Sequence, residues 1–170
     1  VKNLIVTDNS KFEIKKIKLK NKKINIFNNF NFFEKIFKNK IDYTMSAISG
    51  LPGLLPTLKI IKYTKILAIA NKESIICAWN LLSKEIKKHK TKFIPVDSEH
   101  FSLWYGLKNL PIKSVEKIFL TASGGPFYKT PIDKFNQINI SQALKHPNWK
   151  MGKKISIDSA TMINKIYEVI

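Results

Sequence analysis

At 170 residues the chain has the length of roughly one domain, or two small ones, and is long enough to bury a core. Its apolar content of 44% is ordinary for a globular protein, and no run approaches the ~20 apolar residues of a membrane span, which excludes a helical membrane protein on composition. The formal charge of +18 comes entirely from Lys, since there is no Arg, and a Lys, Asn and Ile bias spread over every surface segment argues against a dedicated nucleic-acid site.

Weak attraction to polyanions at low salt is still expected, and a Lys-rich nucleic-acid module stays open as an alternative. One cysteine, Cys77, excludes an internal disulfide. Lying between Ile76 and Trp79, it is expected to be a small buried hydrophobe. The chain opens on Val1, which suggests a piece of something longer.

In chain order, Phe12 and Ile14, Ile17 and Leu19, then Ile24 and Ile26 alternate as strands do, with a hairpin-like turn around Asn21 to Lys23. Phe30 to Phe37 reads as a short amphipathic helix packed into the core. Ser49 to Leu54 is a turn-rich loop followed by a helical segment through Leu58 and Ile61, and amides at such a helix start can attract an anion. Lys65 to Ala70 (KILAIA) reads as a buried parallel strand, after which Asn71-Lys72-Glu73-Ser74 opens a helix to about Lys90. Asn71 and Ser74 either cap that helix or face a ligand crevice at the strand's C-terminal end.

A second strand, Phe93 to Val96, ends in Asp97-Ser98-Glu99-His100. Residues two apart in extended chain point the same way, so Asp97 and Glu99 can aim carboxylates at one hard divalent cation. The alternative is a solvated strand end with Asp97 or Ser98 capping the next helix, Ser98 to Lys108. A third strand is expected at Lys117 to Ala122 (KIFLTA). It leads into Ser123-Gly124-Gly125-Pro126-Phe127, where two glycines permit positive φ and let amides and the Ser123 hydroxyl converge on a phosphate oxygen, unless the turn is merely tight.

Pro131 to Ile138 and Ser141 to Lys145 read as short helices. Pro147 keeps His146 in a loop, where it sits beside Trp149 as an anion or hydroxyl ligand under an aromatic lid, or is simply exposed, as His89 is expected to be. If Asp158 or Ser159 caps a final helix, Asn164, Lys165 and Glu168 share one face, as a metal and phosphate site or as an ordinary ion pair.

Taken together, GLLPTL, LAIANKES, IPVDSEH, LTASGGPF, KHPNW, MGKKISIDSATM and NK, in this order from about Ser46 to the C-terminus, resemble the 1-deoxy-D-xylulose 5-phosphate reductoisomerase family of the non-mevalonate isoprenoid pathway. The resemblance implies an α/β fold: a partial Rossmann-like parallel sheet of an NADPH-binding domain over 1–96, then the start of an α+β catalytic domain over 97–170. It implies a metal-dependent rearrangement of 1-deoxy-D-xylulose 5-phosphate and an NADPH reduction to 2-C-methyl-D-erythritol 4-phosphate, with Mg or Mn as the ion.

By the same resemblance Asp97, Glu99 and Glu168 are the metal ligands, and with Lys72 and His146 they form the catalytic set. Lys72, Ser98, Glu99, Ser123, His146, Ser159, Asn164, Lys165 and Glu168 contact substrate, with Ser123, Ser159, Asn164 and Lys165 around its phosphate. Asn71, Glu73 and Gly152 touch NADPH, and Trp149 belongs to a mobile flap. The family's glycine-rich turn for the cofactor pyrophosphate has no counterpart, Ile166-Tyr167 stands where the family has Gly-Leu, and the C-terminal domain is missing.

The 170 residues are thus expected to be a fragment without turnover of its own, from a protein that dimerises at full length and has no membrane or specific nucleic-acid partner. A non-catalytic metal- and phosphate-binding remnant is the alternative. The AT-rich coding bias points to a plastid-type organelle, or else a bacterial cytoplasm.

Overall fold

The computed structural model describes residues 1–18 and 22–170. Strand β1 (Asn3–Ile5) leads into helix α1 (Asn9–Lys18), and β2 (Asn25–Phe27) returns parallel to β1 with Asn3 opposite Asn25. The alternating stretch from Phe12 to Ile17 is therefore helical, not a strand, and the pairing is parallel, not a hairpin; Leu19 and Asn21 lie outside the described residues. The signal that wins is the cap. Asp8 Oδ1 accepts from the Ser10 amide at 3.0 Å and its hydroxyl at 2.6 Å, satisfying a donor that a helix start would leave open.

A 3-10 turn (Phe30–Phe32) and helix α2 (Phe33–Ile36) follow, with Phe33 buried. Then comes the sheet: β3 (Ile41–Ser46), a 3-10 turn (Leu51–Gly53), α3 (Leu54–Ile60), β4 (Thr64–Ile69), α4 (Lys72–Lys88) and β5 (Lys92–Pro95). All three strands are parallel in the order β3-β4-β5, with Thr44 opposite Leu67 and Leu67 opposite Phe93. β3 was not foreseen, although Ile41, Tyr43 and Met45 alternate with Asp42, Thr44 and Ser46; its pairing to β4 defines it. Central β4 reads as a continuous apolar run because Leu67, Ala68 and Ile69 are all 0% exposed, as expected of a parallel strand covered on both faces.

Helix α4 buries Ser74, Ala78 and Leu82, a stripe spaced by four. Cys77 falls off that stripe and is exposed, which corrects the expectation of a buried thiol. His89 at the helix end is half-buried rather than exposed, its Nε2 3.3 Å from Glu85 Oε2. Lys90 at φ 52 closes the helix, with its amide on Lys87 O at 3.1 Å and the Thr91 amide on Ile86 O at 3.0 Å, the paired bonds of a Schellman stop.

The chain divides into two units, Val1–Val96 and Asp97–Ile170. The second holds α5 (Ser98–Leu107), α6 (Ile140–Ala143), α7 (Lys153–Ala160) and α8 (Ile163–Val169), with 3-10 turns at Ile112–Ser114 and Ile132–Gln137. The strand expected at Lys117 to Ala122 does not form. A strand needs a ladder, none lies alongside among the described residues of this unit, and Ile118 and Phe119 are 54% and 84% exposed. Among the described residues no helix is long and apolar enough to cross a membrane.

Candidate metal and substrate site

Asp97 stands at the N-cap position of α5 and Glu99 in its first turn, where the helix dipole favours carboxylates. The two do not converge through extended chain, as the sequence suggested, but through the start of a helix, and the Asp97 side chain makes no cap bond. Glu168 arrives from α8. One oxygen from each of Asp97, Glu99 and Glu168 lies within 4.8 Å of the others.

At an effective dielectric of about 20, each such carboxylate pair repels by roughly 3 kcal/mol, so the cluster requires positive charge. The charge here is Lys165, whose ammonium donates to Glu99 Oε1 at 2.6 Å and Glu168 Oε2 at 2.7 Å. Asn164 Nδ2 donates to the remaining Glu168 oxygen at 2.7 Å, and the Ser98 hydroxyl to Glu99 Oε2 at 2.6 Å. Burial alone would raise the Glu99 carboxyl, but the Lys165 and Ser98 bonds outweigh it and hold Glu99 at about 2. Burial likewise opposes the Lys165 charge, and the bonds to Glu168 and Glu99 prevail and raise it.

The corner that aims α8 differs from the expected one. Asp158 and Ser159 do not cap α8; they lie in the last turns of α7, and Met162 at φ 60 makes the turn between the helices. Asn164, Lys165 and Glu168 still share a face, because that depends only on their spacing. Ile166 is exposed and the Tyr167 ring lies under the Lys154 ammonium at 5.6 Å, so the bulky pair does not keep Glu168 from the cluster.

A second group of predicted residues gathers at the Ser123 loop. Gly124 and Gly125 have φ 81 and 67, which L side chains rarely adopt. A Cβ at Gly125 would sit 2.6 Å from the Ser159 carbonyl oxygen, so the loop lies directly on the end of α7. Ser123 Oγ is 3.0 Å from His146 Nε2, and the His146 ring stacks on Trp149 at 5.0 Å. Gly152 precedes α7, exposed, its carbonyl accepting from the Ser156 amide at 3.0 Å.

In the first unit Asn71, Lys72 and Glu73 follow β4 at its C-terminal end, the edge where parallel sheets bind ligands. Asn71 caps α4 through the Ser74 amide at 3.1 Å, and its Nδ2 donates to Ile48 O and, at 2.7 Å, to Gly50 O. Its side chain therefore ties down the 48–50 loop and is 4% exposed. Gly53 has no room for a Cβ, which would meet Asn71 Nδ2 and Ile48 O. Lys72 is 9% exposed in the first turn of α4.

The donor set fits a hard divalent ion. Oxygens held at roughly 2.0–2.6 Å by one cation lie up to about 4–5 Å apart across it, and three carboxylates leave positions for substrate oxygens. Sequence reasoning missed His100, whose Nδ1 is 3.1 Å from Asp97 Oδ1. The signal was the i,i+3 spacing, legible on the reading in which Asp97 caps the helix from Ser98 to Lys108.

Comparisons with known proteins give the family of the chain. A model of the 1-deoxy-D-xylulose 5-phosphate reductoisomerase family matches residues 1–79, and one of that family's C-terminal domain matches 93–170. The reductoisomerase of Pelagibacter ubique is 61% identical over 172 residues, covering 100% of this chain and 44% of its own length. That of Wolbachia pipientis is 51% identical, over 76% of this chain and 33% of its own. Among solved structures, a DOX-P reductoisomerase in complex with NADPH, fosmidomycin and magnesium superposes at TM-score 0.82 with 31% identity, over 98% of this chain and 44% of that one. The enzyme from Zymomonas mobilis in complex with NADPH gives 0.81 with 34% identity, over 99% of this chain and 43% of that one. These relatives are bacterial, and the plastid-type location finds no support in them. The chain spans about 44% of the length of such relatives, and it belongs to the 1-deoxy-D-xylulose 5-phosphate reductoisomerase family.

Proposed function

We propose that the protein converts 1-deoxy-D-xylulose 5-phosphate to 2-C-methyl-D-erythritol 4-phosphate with NADPH and a divalent metal, an activity assigned to the protein at the length of its relatives. The observation that carries this reading is the meeting of Asp97, Glu99 and Glu168 within 4.8 Å. In this reading those three hold Mg²⁺ or Mn²⁺. The ion, when bound, polarises the ketone and hydroxyl oxygens of the substrate, and NADPH supplies the hydride.

The chain's own residues do the rest. Ser123, Ser159, Asn164 and Lys165 take the phosphate. Lys72, Ser98 and His146 orient the sugar chain, and Trp149, stacked on His146, excludes water above it. Asn71, through the loop it ties, serves NADPH together with Glu73 and Gly152. Residues 1–96 are then the later part of the NADPH-binding domain and 97–170 the first part of the metal- and substrate-binding domain. A homodimer at full length and a location in the bacterial cytoplasm complete the proposal.

The test is NADPH oxidation with 1-deoxy-D-xylulose 5-phosphate and Mn²⁺, for this chain and for a protein of its relatives' length, with Asp97→Ala in each. Metal-dependent oxidation lost in Asp97→Ala supports the reading. A second reading, a metal- and phosphate-binding remnant, is favoured by the presence of all three carboxylates within Asp97–Ile170. It would be left standing by Mn²⁺ binding without oxidation at either length, and salt-steep nucleic-acid binding indifferent to Asp97→Ala would overturn both.

A further inference from the structure

A serine oxygen 3.0 Å from a histidine ring nitrogen resembles a nucleophile beside its base, and the loop around Ser123 decides against it. His146 Nδ1 faces two backbone amides, those of Asn148 and Trp149, each at 3.1 Å. Both can only donate, so Nδ1 must offer its lone pair and the ring proton resides on Nε2. Nε2–H then donates to Ser123 Oγ. The Gly125 amide also points at that oxygen, at 3.4 Å. With both lone pairs of the hydroxyl engaged, its one proton is directed away from the loop.

We infer that His146 is a positioning residue whose tautomer is locked by the Asn148 and Trp149 amides, making Ser123 an obligate hydrogen-bond donor to an acceptor-only ligand oxygen, that of a phosphate or other oxyanion. Ser123 is exposed, so its proton is accessible to such a ligand. The same arrangement denies Ser123 a base, because the nitrogen facing it carries the proton. Gly124 and Gly125, at φ 81 and 67, place the Gly125 amide on the same oxygen. Naming phosphate as the anion rests on the proposed function; the tautomer and the direction of the serine proton do not.

The test uses the 170-residue chain labelled with ¹⁵N-histidine. Long-range ¹H–¹⁵N spectra, with His146 assigned by its loss in His146→Gln, are expected to show Nε2 protonated and Nδ1 bare. A sulfonyl fluoride is expected to leave Ser123 unmodified. Inorganic phosphate is expected to bind Ser123→Ala about tenfold more weakly, the loss of one bond to a charged group. A proton on Nδ1, an even mixture of tautomers, or sulfonylation of Ser123 overturns the inference, and each can be read on the unmutated chain. Should the tautomer be as stated while Ser123→Ala leaves phosphate affinity unchanged, the donor assignment stands and the phosphate reading of this loop falls.

Discussion

Replacing Lys165 by Met removes the charge that holds the carboxylates together and keeps most of the side chain's length. Lys165 is 18% exposed and bonds to Glu99 at 2.6 Å and to Glu168, whose side chain is 0% exposed, at 2.7 Å. Removing one partner of such a pair strands the other charges, and costs of about 3–5 kcal/mol are typical of full burial. With Glu99 and Lys165 about a fifth exposed, about 2–4 kcal/mol is expected in metal-free buffer. A metal entering the wild-type site competes with the ammonium for the same oxygens, and giving up one charge-assisted bond costs about 1.5–3 kcal/mol. Lys165→Met should therefore bind Mn²⁺ about 10- to 100-fold more tightly, at about 1.4 kcal/mol per decade. Urea unfolding with and without Mn²⁺, together with calorimetric titration, reads both effects. The reasoning is refuted if the variant binds Mn²⁺ no more tightly than wild type, or if it loses less than about 1 kcal/mol without metal.

The Glu99–Lys165 pair also sets a pH window. Glu99, held at about 2 against 4.5 when unfolded, contributes stability present in full above about 4.5 and lost as pH falls toward 2, at up to about 1.4 kcal/mol per pH unit. Lys165, raised above 10.5, contributes below that value and loses its contribution as pH rises through its folded value; a urea series from acid to alkali on wild type and Glu99→Gln should differ in these limbs and run level between them. Gly125→Ala meets both a positive φ and the Ser159 carbonyl at 2.6 Å, and should cost about 1–3 kcal/mol and weaken phosphate binding; Gly124→Ala meets a positive φ too, but its Cβ runs into the exposed Tyr128 side chain at 2.9 Å rather than into backbone, so its cost should be smaller, and the reverse ranking in thermal unfolding would count against the loop geometry. Lys90→Gly, at φ 52 on an exposed helix stop, should add about 0.5–1 kcal/mol by urea unfolding.

Local pattern alone sufficed for β4, α4 and α5, because each depends on neighbours in sequence: an apolar run, a cap at Asn71, carboxylates at a helix start. The positive φ of Gly124 and Gly125 and the shared face of Asn164, Lys165 and Glu168 were legible for the same reason. Pairing was not. Strand β3 exists only because β4 lies beside it, and KIFLTA, the more strand-like string, has no ladder among the described residues. Alternation misled at Phe12 to Ile17, where the Asp8 cap outweighed the period.

The ammonium of Lys165 reaching Glu99, and His146 turning its Nε2 to Ser123, were beyond any reading along the chain. They join residues tens of positions apart. Residue types announce which chemistry is available, but repulsion among three carboxylates is resolved only by whatever charge the folded chain brings within reach. That selection is a property of packing in three dimensions, and it decides which atoms of this site face a ligand.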